Sequence, residues 1–281
     1  MPDWTTVSHP PARTSPWATL SVAHAAGTVN DSGKVLEGFS GHGLAALEAT
    51  LDSIGAARYV SLGELAIAAW SSAEPLPFAQ RREGEQRALR VGDKWGGLFD
   101  CAWMRFTGTV PPAAAGRPVS LLLDVNGEMC VVDAHGVPQR GLTSLTSEFD
   151  LSLGKPGKRA FPLAAAATPG PVEVWADCGC NDLFGSLQEN GVVRQAELVA
   201  EHPEVEALYY DFDVLLDFLK VLPEASARWR QVLQVLTAAA RAVQPDVRAG
   251  VAAARAQLAP QLAKRGGDAD LRISAIGHAH M

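Results

Sequence analysis

The sequence predicts an α+β protein: an antiparallel β-sandwich, jelly-roll-like, followed by about three helices and one terminal strand. Three observations carry this reading. Short segments alternating apolar and polar residues recur from Trp95 to about Ala176 with turn signals between them. After residue 200 the apolar spacing changes to that of amphipathic helices. Near the end, Leu271-Arg-Ile-Ser-Ala-Ile276 forms a short run suited to a buried strand.

Along the chain, residues 1 to about 45 read as a variable arm. His9-Pro-Pro-Ala-Arg-Thr-Ser-Pro16 resists regular structure, because each proline fixes φ and removes a donor. Leu44, Leu47, Leu51 and Ile54 then fall at helical spacing and predict a short helix, with Gly55 as its stop. A strand is expected through Tyr59–Leu65. This leading helix and the strands up to residue 200 are grouped as one domain, 46–200.

Within it, Trp103-Met-Arg-Phe-Thr-Gly-Thr-Val110 alternates and ends at Pro111-Pro112. Val119 to Asp124 is a Val/Leu run, followed by Asn126-Gly127, a strong short hairpin signal. Cys130-Val-Val-Asp133 is therefore expected as the return strand of a hairpin. His135-Gly136 marks a further turn, and Val172-Glu-Val-Trp-Ala-Asp177 alternates again. Several short strands without intervening helices argue for an antiparallel sandwich.

Residues 201–266 are expected to be helical. Pro203 suits a first turn. Val205, Leu208, Phe212, Leu215 and Leu219 make one apolar stripe. Trp229, Val232, Leu233, Leu236, Ala240 and Val243 make a second. Val247, Val251, Ala254, Leu258 and Leu262 make a third, with Pro260 near its end. Gly266-Gly267 closes the section. Residues 267–281 read as the opening strand of a further α/β domain.

Composition narrows the function. The 281 residues are 47% hydrophobic, enough to build a core, and carry a net charge of −7 with the signs interspersed. No basic run points to nucleic acid. No apolar run reaches the ~18 residues that span a bilayer. The segment Trp17 to Ala25 ends in a small-x-small pattern, but it is short and preceded by little charge, so a cleaved signal is not expected. Four cysteines over this length fit a reducing compartment, and the expected location is cytoplasmic. Cys178-x-Cys180 lacks a second Cys/His pair nearby and is read as two buried thiols on a strand. Trp95, Trp103 and Trp175 are read as core rather than as a ligand-stacking platform. Asp211, Asp213 and Asp217 are read as a solvated helix face. Asp124 and Glu128 are read as turn residues.

The terminal Arg272-Ile-Ser-Ala-Ile-Gly-His-Ala-His280 resembles the first catalytic strand of α-mannosidases of glycoside hydrolase family 38, which continues G-H-x-H-x-D. Upstream pieces resemble the same family in order: Val91-Gly-Asp-Lys-Trp-Gly96, Trp103-Met-Arg105, Leu123-Asp124 through Gly127-Glu128, Gly136-Val-Pro-Gln-Arg-Gly-Leu142, Asn181-Asp-Leu-Phe-Gly185 and Leu208-Tyr-Tyr-Asp211. The resemblance spans roughly residues 58 to 281 and points to the branch with cytosolic, vacuolar and bacterial members.

The resemblance implies a zinc-dependent retaining α-mannosidase. The second His of its motif, which binds zinc, corresponds to His280. His278 is a neighbouring site residue, and whether it is a ligand stays open. The carboxylates that complete the centre are family positions beyond residue 281, so no catalytic residue is expected among these positions. The implied Zn2+ belongs to the full-length enzyme, and this chain alone is expected to hold none and to be inactive. The implied partners are α-mannosides and, in the full-length form, further copies of itself. Two other readings are carried beside this one: a stand-alone carbohydrate-binding sandwich and a purely structural oligomerisation domain.

Overall fold

The computed structural model describes residues 34–143, 158–180, 190–265 and Ser274. These fall into two compact units. Arg58–Pro203 form a β unit; the described residues before and after it, 34–57 and 204–265, form a helical unit.

The β unit is a jelly-roll-like sandwich whose pairings are all antiparallel. Its strands are β1 (Tyr59–Glu64), β2 (Ala66–Ser72), β3 (Glu85–Leu89), β4 (Lys94–Gly97), β5 (Cys101–Val110), β6 (Val119–Asp124), β7 (Glu128–Val132), β8 (Pro138–Thr143), β9 (Ala160–Ala164), β10 (Gly170–Gly179), β11 (Asn190–Val192) and β12 (Gln195–Glu201). One sheet runs β1-β12-β6-β9, the other β3-β2-β5-β10-β7-β8, and β11 pairs with β4. Consecutive strands often change sheet, as β1 to β2, β5 to β6 and β9 to β10 do.

The core follows from alternation, since every second side chain on a strand shares a face. Ile67 and Ala69 of β2, Met104 and Phe106 of β5, Val174, Ala176 and Cys178 of β10 point inward. They meet Leu121 and Leu123 of β6 and Ala196 and Leu198 of β12 in one cluster. Cys178 and Cys180 are buried thiols of that cluster, not joined in a disulfide, as the sequence indicated.

The Asn126-Gly127 step departs from expectation. It does not close a hairpin: β6 pairs with β12 and β9, while β7 pairs with β10 and β8 in the opposite sheet. The step is a corner between sheets. Asn126 takes a positive φ of 54°, and its N–H donates to Asp124 Oδ1 at 2.9 Å. Gly127 packs so closely on the Gly179 carbonyl that a Cβ would collide with it. The same local chemistry serves a hairpin or a corner, and only sheet pairing tells them apart. By contrast, β7 and β8 do form a hairpin around His135-Gly136. There Gly136 has φ 83°, and Asp133 Oδ1 accepts the N–H groups of His135 and Val137.

The helical unit comprises α1 (Lys34–Ala57), α2 (Pro203–Val221), α3 (Ala227–Ala242) and α4 (Val247–Leu262). The three helices after residue 200 fall where their apolar stripes placed them. Helix α1 is longer than the 44–54 expected and overlaps the presumed arm, and Gly55 does not stop it. A Cβ at Gly55 would sit 3.3 Å from the Tyr209 ring, so glycine here serves close packing. The sequence grouped this helix with the strands. Its Leu47, Leu51 and Ile54 instead share a core with Leu208, Phe212, Leu216, Trp229, Leu236 and Leu258.

Ser226 caps α3 by accepting the Trp229 N–H at 3.1 Å. Asp246 caps α4 through the N–H groups of Arg248 and Ala249. Gly250 lets α4 approach the Ala242 carbonyl of α3. No described helix is long and apolar enough to cross a membrane. The expected strand 271–276 lies outside the described residues, as does the small-x-small segment 17–25.

Candidate functional site

The outer face of the six-stranded sheet carries the densest group of functional side chains in the β unit. Alternation puts Trp70 of β2, Trp103 and Arg105 of β5, Cys130 and Val132 of β7, and Glu173, Trp175 and Asp177 of β10 on this side, opposite the core residues between them. Register sets Trp70 across from Trp103, and Trp175 across from Arg105 and Val132. The Trp70 and Trp175 rings stack with centroids 5.2 Å apart and planes 27° apart.

The segment between β2 and β3 covers these rings. Leu76 and Phe78 pack on them. Trp103 Nε1 donates to the Leu76 carbonyl at 2.8 Å, and Phe78 meets Trp103 edge-on at 5.5 Å. Arg81 and Arg82, on the same segment, lie over Trp175 at 4.9 and 5.3 Å from its centroid. Trp70, Trp103 and Trp175 are each left 5% exposed. No ring presents an open face, so a sugar cannot stack on them without displacing this segment. Trp95 is separate: it lies in the main core and donates Nε1–H to the Val125 carbonyl at 2.7 Å.

The polar end of this face holds Cys101, Asp177 and Cys130. Burial raises the Asp177 pKa above the usual carboxylate value, and the Cys178 backbone N–H only partly offsets this. Burial, and then the Asp177 charge, also raise Cys101 and Cys130; Glu74 and Asp100 add to Cys101. Cys178 is raised well above the ordinary thiol value by burial. These cysteines are thus held as thiols, the reverse of an activated nucleophile. Among the described residues, no three His, Cys, Asp or Glu side chains come together as a metal site would require.

The corner holds the buried acid. Asp124 is 2% exposed, and besides its turn bond it faces Arg159 Nη1 at 3.4 Å. Glu128 accepts the Thr143 hydroxyl at 2.9 Å. Both carboxylates are occupied by local structure, as their reading as turn residues anticipated for Asp124. At one end of the sandwich, a cleft of about 740 Å³ lies over Leu65, Ile67 and Leu89, with Glu64, Arg90 and Asp93 at its rim. The Asp93 carboxylate there is engaged by the Arg90 backbone N–H at 2.8 Å.

In the helical unit, the acidic face of α2 is only partly solvated. Asp217 is exposed near Lys220 at 3.4 Å, while Asp211 takes Arg255 Nε at 3.0 Å. Arg255 also reaches Glu204 at 3.0 Å, tying α4 to α2. The metal-site residues expected from the terminal motif, His278 and His280, lie outside the described residues. The sequence reading missed Trp70, Arg81 and Arg82. The alternation of Ala66–Ser72, with Trp70 off the core register, is the signal that marks Trp70.

The fold defines a jelly-roll sandwich and a helical unit, with no metal-holding cluster among the described residues. A family model described as "Alpha-mannosidase, jelly roll domain" matches residues 63–207, more than half of the chain, and the chain belongs to that family. It is similar to alpha-mannosidase 2C1 of Mus musculus, 25% identical over 218 residues, and to that of Homo sapiens, 26% identical over 219 residues. Each match covers 74% of this chain and 20% of the relative. The chain therefore aligns with about a fifth of the length of the curated relatives it matches.

Proposed function

We propose that this chain is the scaffolding N-terminal part of a retaining, zinc-dependent α-mannosidase of glycoside hydrolase family 38, acting on terminal α-mannose residues in the cytoplasm. The observation that carries the reading is the family match over the sandwich, together with relatives of which the chain covers one fifth.

A retaining glycosidase needs two carboxyl groups about 5–5.5 Å apart. A catalytic zinc needs about three protein ligands and an open position. When bound, zinc supplies Lewis-acid polarisation and a template for sugar hydroxyls. Among the described residues, no three His, Cys, Asp or Glu side chains come together to hold a metal. In this reading His280 joins a metal centre completed by other parts of the enzyme, with His278 beside it. The role of residues 34–143, 158–180 and 190–265 is to fold and to support.

Buried tryptophans favour a scaffold over a carbohydrate-binding module, because lectin-like stacking needs an accessible ring face. Self-association of the full-length enzyme is part of the same proposal.

The test is hydrolysis of an aryl α-mannoside by the purified chain with added zinc or cobalt, alongside calorimetric titration with mannose and mannobiose. No turnover and no heat at millimolar sugar are expected. Turnover would overturn the scaffolding role, and saturable sugar binding would favour the module.

A further inference from the structure

Three guanidinium groups lie within 6 Å of one ring centroid on the outer face of the six-stranded sheet. From the Trp175 centroid, Cζ of Arg81 lies at 4.9 Å, of Arg82 at 5.3 Å and of Arg105 at 5.9 Å. Arg82 and Arg105 are also both 5.8 Å from the Trp70 centroid. Arg105 is fixed in β5. Arg81 and Arg82 reach the same place from the covering segment.

Compensation for this charge is thin. Among the described residues, the single carboxylate within salt-bridge distance of the three is Glu173, 3.8 Å from Arg105 Nη1. Glu173 Oε1 already accepts Trp175 Nε1–H at 2.9 Å. Arg81 spends one nitrogen on the Phe78 carbonyl at 2.8 Å. The Nε atoms of Arg81 and Arg105 are shut off from water without a hydrogen-bond partner. Asp177, two residues from Trp175 on β10, does not serve as their counter-ion: its pKa is raised by burial, with no lowering from an arginine. Ring faces offset a cation by only ~0.5–1 kcal/mol at exposed sites. Three like charges around one ring, with one carboxylate among them, are favourable ground for an anion.

The chemistry of the groups selects the anion. Guanidinium presents a planar fork of N–H donors that matches two oxygens of one phosphate. The tryptophans hold the forks in place and exclude water, but at 5% exposure they offer a ligand no stacking surface. We propose that Arg81, Arg82 and Arg105 form an oxyanion site that takes a phosphate monoester group. Bound there, the phosphate bridges the covering segment to β5 through the terminal N–H groups of the forks. The site is independent of mannoside hydrolysis and does not rest on the α-mannosidase reading.

The experiment is calorimetric titration of the whole chain with inorganic phosphate and, separately, with glucose 6-phosphate, against sodium chloride of matched ionic strength. Saturable binding is expected for phosphate-bearing probes and not for chloride. Equal affinities identify the phosphate group as the whole determinant, and tighter binding of the ester identifies a sugar phosphate as the ligand. Arg82→Gln, at an exposed position, and Arg81→Gln should each weaken binding about tenfold through the loss of charge-assisted bonds. Arg82→Lys, which keeps the charge but loses the fork, should fall between. Circular dichroism and the unliganded melting temperature should stay as in the parent for Arg82→Gln. No saturation beyond the chloride control, or unchanged affinity in both Gln variants, overturns the proposal. So does saturable binding of a polyglutamate peptide with none of phosphate.

Discussion

Replacing Trp95 by Phe should destabilise the β unit by about 3.5 kcal/mol and leave the helical unit unaffected. The indole is 2% exposed, and its N–H is the donor to the Val125 carbonyl at the corner between the sheets. Phenylalanine leaves that buried carbonyl without its donor, at ~1–3 kcal/mol. It also removes part of a fused ring from a close-packed site, where each buried CH2-equivalent contributes ~0.8 kcal/mol. Gly191 makes relaxation difficult: it is glycine because a Cβ would collide with this indole, so the backbone is already drawn up to the ring and cannot follow it inward. Two such equivalents and a mid-range carbonyl term give the total. For a unit of this size the shift in melting temperature is roughly 7–14 °C. Thermal and urea unfolding should be followed by near-ultraviolet circular dichroism for the sandwich tryptophans and at 222 nm for the helices. A loss below ~0.5 kcal/mol, or an equal shift of the helical transition, would refute the reasoning.

Other outcomes follow from single contacts. Asp177→Asn should stabilise the protein at neutral pH and not below the ordinary carboxylate range. Its folded pKa is raised by burial, so the native state is penalised only once pH rises through that range and the group ionises. Melting curves from pH 3 to 8 check this, and a gain that persists at pH 3 would count against it. Gly127→Ala should cost ~1–3 kcal/mol by driving a Cβ into the Gly179 carbonyl, read from urea midpoints; a neutral result would contradict the tight corner. Ser226→Ala should cost about 1 kcal/mol through loss of the α3 cap, visible in the 222 nm transition, and Ser226→Asp should restore it.

The anion site and the scaffold reading make different demands on the same face. The three tryptophans are buried under Leu76, Phe78 and the arginines, which suits a sheet face sealed by its own chain. What remains reachable is positive charge. Phosphate binding without mannose binding is therefore the pattern that this face supports, and the two titrations separate it from a lectin-like module in one set of measurements.

Much of the architecture was legible in local pattern. Strand alternation at Trp103–Val110 and Val172–Asp177 marked β5 and β10 and their inward faces, because a period of two is a local property. Apolar stripes after residue 200 gave α2, α3 and α4 for the same reason at a period of 3.6. The Cys178 and Cys180 thiols fell inside, and the order of several motifs along the chain carried the family resemblance. Less was legible where a residue's role depends on distant partners. Gly55 looks like a helix stop but is a seat for the Tyr209 ring. Asp211 looks like a solvated acid but faces Arg255, 44 positions away in sequence.

The sequence by itself determined the periods and the turn chemistry, which are written in neighbouring residues, and the family, which is written in the order of motifs along the chain. The tertiary structure decided which sheet each strand joins, so that Asn126-Gly127 became a corner rather than a hairpin. It also decided that α1 shares a core with helices some 150 residues away, and that Arg81, Arg82 and Arg105 meet over one tryptophan. Such pairings are fixed by the burial of apolar faces against one another. That force depends on the area removed from water and not on sequence distance, so no local pattern encodes its outcome.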